Sequence, residues 1–341
     1  MTRAPSKAGL SKACLSIMLA VPLAACGSNW QSVLDVHGAS AISLKQLILL
    51  IVAVCSLVWM LVMVALIWAL WHRREGLPTP HQAGRERHMN IAVVGAVIVT
   101  VVIIGTFTIM SFFATRSLSV AGQDDLTIRV RGLQWWWGLE YIGPDPSRRF
   151  ETANEIHIPV GRNVHLKLEG LDVIHSFWVP SLAGKQDLIP GRSNELTIRA
   201  ERPGVYRGQC AEYCGMQHAH MALLVIAESQ DDFAKWADAQ RQTALQPAEE
   251  EAAAGMQTFL TKPCAACHTV RGTTAAGTTG PDLTHVGGRR TIAAGLFETT
   301  RGSLAAWIAD PQTVKPGNNM PMVPLTPNEL RGVSAYLASL K

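Results

Sequence analysis

The chain has 341 residues, 48% of them hydrophobic and only 16% charged. That length accommodates two or three domains, and so apolar a composition points to membrane spans beside soluble parts. The net charge of +4 implies no polyanionic partner, and no basic, aromatic-laced stretch of the kind that binds nucleic acid stands out.

Residues Met1–Ala13 carry Arg3, Lys7 and Lys12 and no acid, and an apolar run follows from Cys14 to Ala25. A positive stretch before an apolar segment too short to span a bilayer is a secretory signal, here residues 1–25. It ends Leu23-Ala24-Ala25-Cys26-Gly27, which resembles the bacterial lipobox. That resemblance implies a lipidated Cys26 as the mature N-terminus; ordinary cleavage after a small residue is the alternative.

Residues 26–120 form a transmembrane hairpin. Leu47–Trp71 and Ile91–Thr115 each run 25 residues without a charge, longer than a hydrocarbon core of about 30 Å requires at about 1.5 Å per residue. Trp59, Trp68 and Trp71 lean toward the end of the first span, as in an interfacial belt. Between the spans, Arg73, Arg74, Arg85 and Arg87 outnumber Glu75 and Glu86. The positive-inside rule makes that loop cytoplasmic and everything after Thr115 extracytoplasmic, in agreement with the export signal.

From Leu126 the pattern becomes short alternating runs: Leu126–Arg131, Asn154–Pro159, Val164–Leu168 and Glu195–Arg199, with turn residues at Gly143-Pro144, Gly161, Gly170, Pro190-Gly191 and Pro203-Gly204. Such spacing predicts a β-sandwich over 125–228. Within it, Cys210-Ala-Glu-Tyr-Cys214-Gly-Met-Gln-His218-Ala-His-Met221 packs two thiols, two imidazoles, a carboxylate and two thioethers into twelve residues. Soft sulfur and borderline nitrogen donors suit copper rather than magnesium or calcium; a Cys210–Cys214 disulfide among scattered histidines is the bland alternative. A mononuclear blue-copper site needs one cysteine, so the second argues for a dinuclear centre. Such a centre needs another histidine. His175, in a turn between strand-like runs, is the best candidate, whereas His157 and His165 lie inside alternating strands.

Residues 229–251 are a short helical stretch with Phe233 and Trp236 on one side, followed by a polar linker. Residues 252–341 read as a small all-α domain, whose last helix opens with the capping box Thr326-Pro327-Asn328-Glu329. At its start, Cys264-Ala-Ala-Cys267-His268 is the haem c attachment signature: two thiols for the porphyrin vinyl groups, then an imidazole for the iron. A downstream thioether opposite His268 would raise the reduction potential. Met320, before Pro321, is the first candidate and Met322 the second.

These motifs together resemble subunit II of haem–copper cytochrome c oxidases in the form with a fused cytochrome c domain, the caa type. Cys210-x-Glu212-x-Cys214-Gly-x-x-His218-x-x-Met221 with His175 upstream resembles that family's dinuclear copper motif, CuA. Gln134-Trp135-Trp136-Trp137, Asp172-Val-Ile-His175-Ser-Phe and Ile189-Pro-Gly-Arg192 are similar to its aromatic run and loops. Gly280-Pro281-Asp-Leu, Trp307-Ile-Ala-Asp-Pro311 and Lys315-Pro-Gly317 resemble the pattern flanking haem c.

The resemblance implies a cupredoxin fold for 125–228 and an electron-input role. A reduced cytochrome c-like carrier, soluble or membrane-bound, delivers electrons through covalent haem c and CuA to subunit I, alongside other oxidase subunits, in the bacterial inner membrane, with both domains on the periplasmic side. It further implies His175, Cys210, Cys214, His218 and Met221 as copper ligands and Glu212 as a ligand through its backbone carbonyl. The Glu212 side chain would face a magnesium ion at the subunit I interface. Trp135 would admit electrons to CuA, Cys264 and Cys267 form the haem thioethers, His268 and Met320 bind the iron, and Pro281 orients His268 through its carbonyl. The family's glutamate and Trp-Thr-x-x-Pro run before the second span is replaced here by Glu86-Arg-His88-Met-Asn-Ile-Ala-Val-Val-Gly95. A nitric oxide reductase subunit is the nearest alternative and a membrane-anchored copper chaperone the next; covalent haem argues against the chaperone. A quinol-oxidase subunit lacks the copper ligands that this chain carries.

Overall fold

Two long apolar helices lead into the described part of the chain, a computed structural model covering residues 31–72, 83–116, 126–143 and 145–341. The signal with Cys26, the loop arginines Arg73 and Arg74, and Pro144 fall outside those residues. Helix α1 spans Ala39–Trp71 and α2 spans Ala83–Arg116, each extending beyond its uncharged run. Both are long and apolar enough to cross a membrane. Their surfaces are apolar all round, with Trp59, Trp68, Val93 and Val101 all more than 60% exposed, which suits lipid and not water as their surroundings.

The start of α1 is bonded to the next domain. His37 and Gly38 N–H donate to the Ser181 carbonyl at 2.8 and 3.0 Å, Ala41 N–H donates to Leu182 O at 3.3 Å, and Glu201 N–H donates to His37 O at 2.8 Å. A Cβ on Gly38 would lie 2.2 Å from the Leu182 oxygen, so only glycine allows the helix to leave the domain here.

That domain is a sandwich of two five-stranded sheets. The strands are β1 Leu126–Leu133, β2 Trp136–Ile142, β3 Phe150–Ala153, β4 Glu155–Pro159, β5 Val164–Gly170, β6 His175–Trp178, β7 Gln186–Leu188, β8 Ser193–Ile198, β9 Gly204–Cys210 and β10 Ala222–Glu228. One sheet runs β3-β2-β1-β5-β8 and the other β4-β10-β9-β6-β7. The β1–β5 and β4–β10 pairs are parallel, and β9–β10 is antiparallel. The alternation read in β1 and β5 places Ile128, Val130, Leu166 and Leu168 in the core with Trp137, Leu139, Phe177 and Val225, all at 0% exposure. Each such side chain contributes roughly 1.5–3 kcal/mol by leaving water.

Strand β10 departs from alternation. Ala222-Leu-Leu-Val-Ile-Ala is buried throughout, as expected of a strand covered on both faces. Its neighbour β4 is also buried along its length. His157 in β4 stacks on Trp236 of α3 (Gln230–Arg241), ring centroids 4.0 Å apart and 8° from parallel. Its ring nitrogens meet Glu228 Oε1 at 2.8 Å and Glu155 Oε1 at 3.2 Å.

The C-terminal domain contains α4 Glu250–Thr261, α5 Cys264–Cys267, α6 Arg301–Ala309, α7 Pro311–Val314 and α8 Pro327–Ser339, with a two-residue ladder of β11 Thr291–Ile292 and β12 Phe297–Glu298. Helices α4 and α8 cross where Gly255 meets Gly332, and Phe259, Leu304, Val333, Tyr336 and Leu337 form the core. The capping box is present: Glu329 N–H donates to Thr326 Oγ1 at 3.3 Å, and Thr326 N–H to Glu329 Oε2 at 2.7 Å.

Burial alone lowers the His157 pKa, but the hydrogen bonds and charges of Glu155 and Glu228 outweigh it and leave it raised. A raised folded pKa gives stability that is complete below the unfolded value of about 6.5 and is lost as pH rises through the folded value. We predict that His157→Gln costs about 1–3 kcal/mol. The deficit in thermal midpoint, followed by tryptophan fluorescence, should be larger near about pH 6 than near about pH 9; an equal deficit at both would refute the ionic contribution.

Candidate metal centre and haem cavity

Strand β9 ends on Cys210 and β10 begins at Ala222, so the soft-donor segment is the loop of a hairpin. Cys210 N–H donates to the Met221 carbonyl at 2.9 Å and closes that loop at its neck; Ala211 N–H donates to Ser176 O at 2.9 Å and ties it to β6. The loop folds its donors onto one another. Cys210 and Cys214 Sγ lie 3.7 Å apart. Cys214 Sγ lies 3.7 Å from His218 Nδ1 and 3.9 Å from Met221 Sδ. Cys210 Sγ is 3.2 Å from the Glu212 carbonyl oxygen and 3.9 Å from His175 Nδ1. Tetrahedral bonds of about 2.0–2.3 Å put neighbouring donors roughly 3.3–3.8 Å apart. The two-thiol core with flanking imidazoles therefore fits a pair of soft metal ions sharing both sulfurs.

His175 is not in a turn, as the sequence pattern suggested, but is the first residue of β6, paired with Leu188. Its strand places the ring in the core at 0% exposure. The carboxylate of Asp172 then fixes the ring: Oδ1 meets Nε2 at 2.7 Å, which puts the proton on Nε2 and leaves Nδ1 toward Cys210. Asp172 is itself held by Val173 N–H on Oδ1 and Gln134 N–H on Oδ2, both at 2.6 Å. This orienting carboxylate was quoted in the loop motif but given no role; its position three residues before the histidine is the signal that could have exposed it.

The two thiols share one hydrogen bond. The hydrogen bond from Cys214, with help from His175, lowers the Cys210 pKa to about 3 against burial. The same bond, burial and the Cys210 charge push Cys214 up. Metal binding has to displace the proton of that bond. His220 faces away, its Nδ1 meeting Gln217 Oε1 at 2.9 Å. The Glu212 carboxylate pairs with Lys185 at 3.3 Å, and both side chains are more than 40% exposed.

The second site is a cavity of about 530 Å³ lined by Cys264, Cys267, His268, Pro281, Trp307 and Met320, among others, a size usual for an organic cofactor. Helix α5 carries Cys264 and Cys267 at its two ends. His268 Nδ1 meets the Pro281 carbonyl at 2.8 Å, which leaves Nε2 for a metal; burial lowers its pKa and keeps the ring neutral. Met320 lines the cavity, with its N–H donated to Asn318 Oδ1 at 2.7 Å and its carbonyl accepting from Gln312 Nε2 at 2.8 Å. Met322 is 60% exposed.

The cavity is walled in part by the other domain: Leu133, Gln134, Trp135 and Trp136 line it too. Trp135 Nε1–H donates to the Cys214 carbonyl at 2.9 Å, so one residue borders both sites. Two juxtaposed cofactor sites beside a pair of membrane helices define a membrane-anchored electron-transfer protein.

Comparison with known proteins narrows this class. The family described as the periplasmic domain of cytochrome c oxidase subunit II matches residues 143–228, and the cytochrome c family matches 252–341. Cytochrome c oxidase subunit 2 of Alkalihalophilus pseudofirmus is 33% identical over 323 residues, 92% of this chain and 92% of its own. The Bacillus subtilis protein of the same name is 32% identical over 230 residues, 64% of this chain and 63% of its own. The crystal structure of the periplasmic domain of cytochrome oxidase subunit II from Bradyrhizobium japonicum is 34% identical and covers 36% of this chain and 97% of that one, with a TM-score of 0.34. The chain belongs to the cytochrome c oxidase subunit II family, in the form fused to a cytochrome c domain. Its two domains indicate CuA copper and haem c, and membership makes it a membrane-anchored electron-input subunit of an oxidase with periplasmic domains.

Loss of an orienting carboxylate commonly weakens metal binding by about 10–100-fold, and Asp172→Ala should do so in chelator competition with the full-length chain. His220→Ala should leave copper stoichiometry unchanged. Copper lost on removing His220, with none lost on removing Asp172, would contradict the geometry.

Proposed function

We propose that this chain passes electrons from a reduced cytochrome c-like carrier outside the membrane to the haem–copper subunit that reduces oxygen to water and moves protons. Haem c and dinuclear copper, when bound, supply one-electron couples with little ligand rearrangement. The observation that carries the reading is Trp135, whose indole is hydrogen-bonded to the carbonyl of Cys214 and which as a residue lines the haem cavity.

In this reading His175, Cys210, Cys214, His218 and Met221 hold copper through side chains and Glu212 through its carbonyl. Asp172 and Pro281 hold the two histidine rings in their metal-binding tautomers. Cys264 and Cys267 would anchor the porphyrin covalently, and His268 and Met320 would bind its iron, a His/Met pair that raises the potential. The Glu212 carboxylate is the group offered to a magnesium ion at the interface with subunit I, in exchange for Lys185.

Two measurements test the proposal. The purified complex should consume oxygen when given reduced cytochrome c; nitric oxide turnover without oxygen uptake would overturn the assignment. Met320→Leu should abolish the methionine-to-iron charge-transfer band, whereas Met322→Leu should keep it.

A further inference from the structure

Lys315 is 2% exposed, and among the described residues its ammonium has no carboxylate in ion-pairing range. Its three N–H donors instead meet three main-chain carbonyls: Trp135 O at 2.7 Å, His220 O at 2.8 Å and Ala293 O at 3.2 Å. Two of those carbonyls belong to the copper domain and one to the haem domain that carries Lys315. Burial draws its pKa down to about 7, but three accepting carbonyls require the ammonium form, which has three donors. Charged donors make the stronger hydrogen bonds, and a buried charge left unpaired is costly. Separating the domains would strip this cation of two of its three partners.

Further contacts share the junction. Gln217 Nε2 donates to Pro316 O at 3.0 Å. Arg290 N–H donates to Glu155 Oε2 at 2.9 Å, and Ala222 N–H donates to Ala294 O at 3.0 Å. Gly317, at φ +81°, brings its backbone against the indole: a Cβ there would lie 3.6 Å from Trp135 Cη2. Ala293 and Ala294 hold φ of +53° and +59°, a left-handed backbone that alanine adopts only where surrounding contacts enforce it. Their carbonyls are the two that accept Lys315 and Ala222. On the copper side, Leu224 and Ile226 of β10 are 2% and 7% exposed, though register turns them away from the sandwich core. Trp135, at 7% exposure, is itself closed off.

We propose that Lys315 is a positioning residue that pins the haem domain to the copper domain, so that the Trp135 loop stays covered during turnover and an incoming protein carrier docks on the haem domain alone. The clause about the carrier rests on the function proposed above; the pinning does not. Domains joined by a polar linker move relative to one another unless something prevents it, and here a buried cation does so.

The test is hydrogen–deuterium exchange on the full-length chain, with haem and copper bound, in its oxidase complex. Peptides containing Ala222 and Arg290, whose amides cross the junction, should be protected in the wild type. Lys315→Met keeps the apolar stem and removes the donors; it should speed their exchange by about tenfold. Peptides from β5 and α8 should be unchanged, showing both domains folded. Gln217→Ala should have the same effect at roughly two- to threefold, and it decides the matter if Lys315→Met unfolds the haem domain. Haem-to-copper electron transfer after flash reduction should be independent of solvent viscosity in the wild type and become viscosity-dependent in the variants. Fast exchange at the junction in the wild type, or equal exchange in wild type and variants with both domains intact, would overturn the pinning whatever the complex oxidises. Intact pinning with no uptake of electrons from cytochrome c would instead remove the function and leave Lys315 its role.

Discussion

The bond from Cys210 N–H to the Met221 carbonyl closes the neck of the loop on which both the copper site and its neighbourhood depend. It turns twelve residues rich in reactive side chains into a short ring mounted on two paired strands. Closing the loop in the fold lowers the entropy that metal binding would otherwise have to remove. It also fixes the donor set before any ion arrives. A site that changes little in shape between oxidation states needs such a frame, because every adjustment of ligand position adds to the barrier for a one-electron step.

The same hairpin organises the rest of the chain. Strand β9 hands the loop to β10, and β10 is the wall shared by the sandwich core and the covered outer face. Beside it lies β4, whose Glu155 and His157 face outward to the haem domain and to α3. The fused domain is therefore more than a cargo on a tether: it completes the burial of a sheet that would otherwise expose leucine and isoleucine to water. Strand β6, hydrogen-bonded to β9, contributes His175 from the other direction. Donor side chains from two separated segments meet because three adjacent strands share one end of the sheet.

Much of this was legible in the sequence because the chemistry is local. Cys264 to His268 and Cys210 to Met221 are dense, spaced motifs whose residue types have few other uses. The spans were legible as well, since length and lack of charge decide them. The alternating strands β1, β5 and β8 announced the sandwich; β6 and β10 did not, one being four residues long and the other apolar at every position but its last. His175 reads as a turn residue in the sequence but opens β6, because Asp172 and Gly170 before it are turn formers and the short strand has no alternation to counter them. Glu155 and Lys315 show no role in the sequence, because the backbone groups they hold across the domain junction lie far away along the chain. Lys315 was seen only as part of a haem-flanking motif. A lysine in a loop reads as solvated until the fold shows what covers it.

The attachment of α1 sets geometry on a larger scale. Gly38 and Ala41 are bonded to Ser181 and Leu182 with no flexible residues between, so the helix is a mast fixed to the copper domain. The uncharged span begins at Leu47, and the height of the domain above the bilayer follows from the few residues between, at about 1.5 Å each. One residue added there would raise the domain by that step and swing it about 100° around the helix axis. The copper site's bearing toward a membrane-embedded neighbour is thus written in the length of one helical segment.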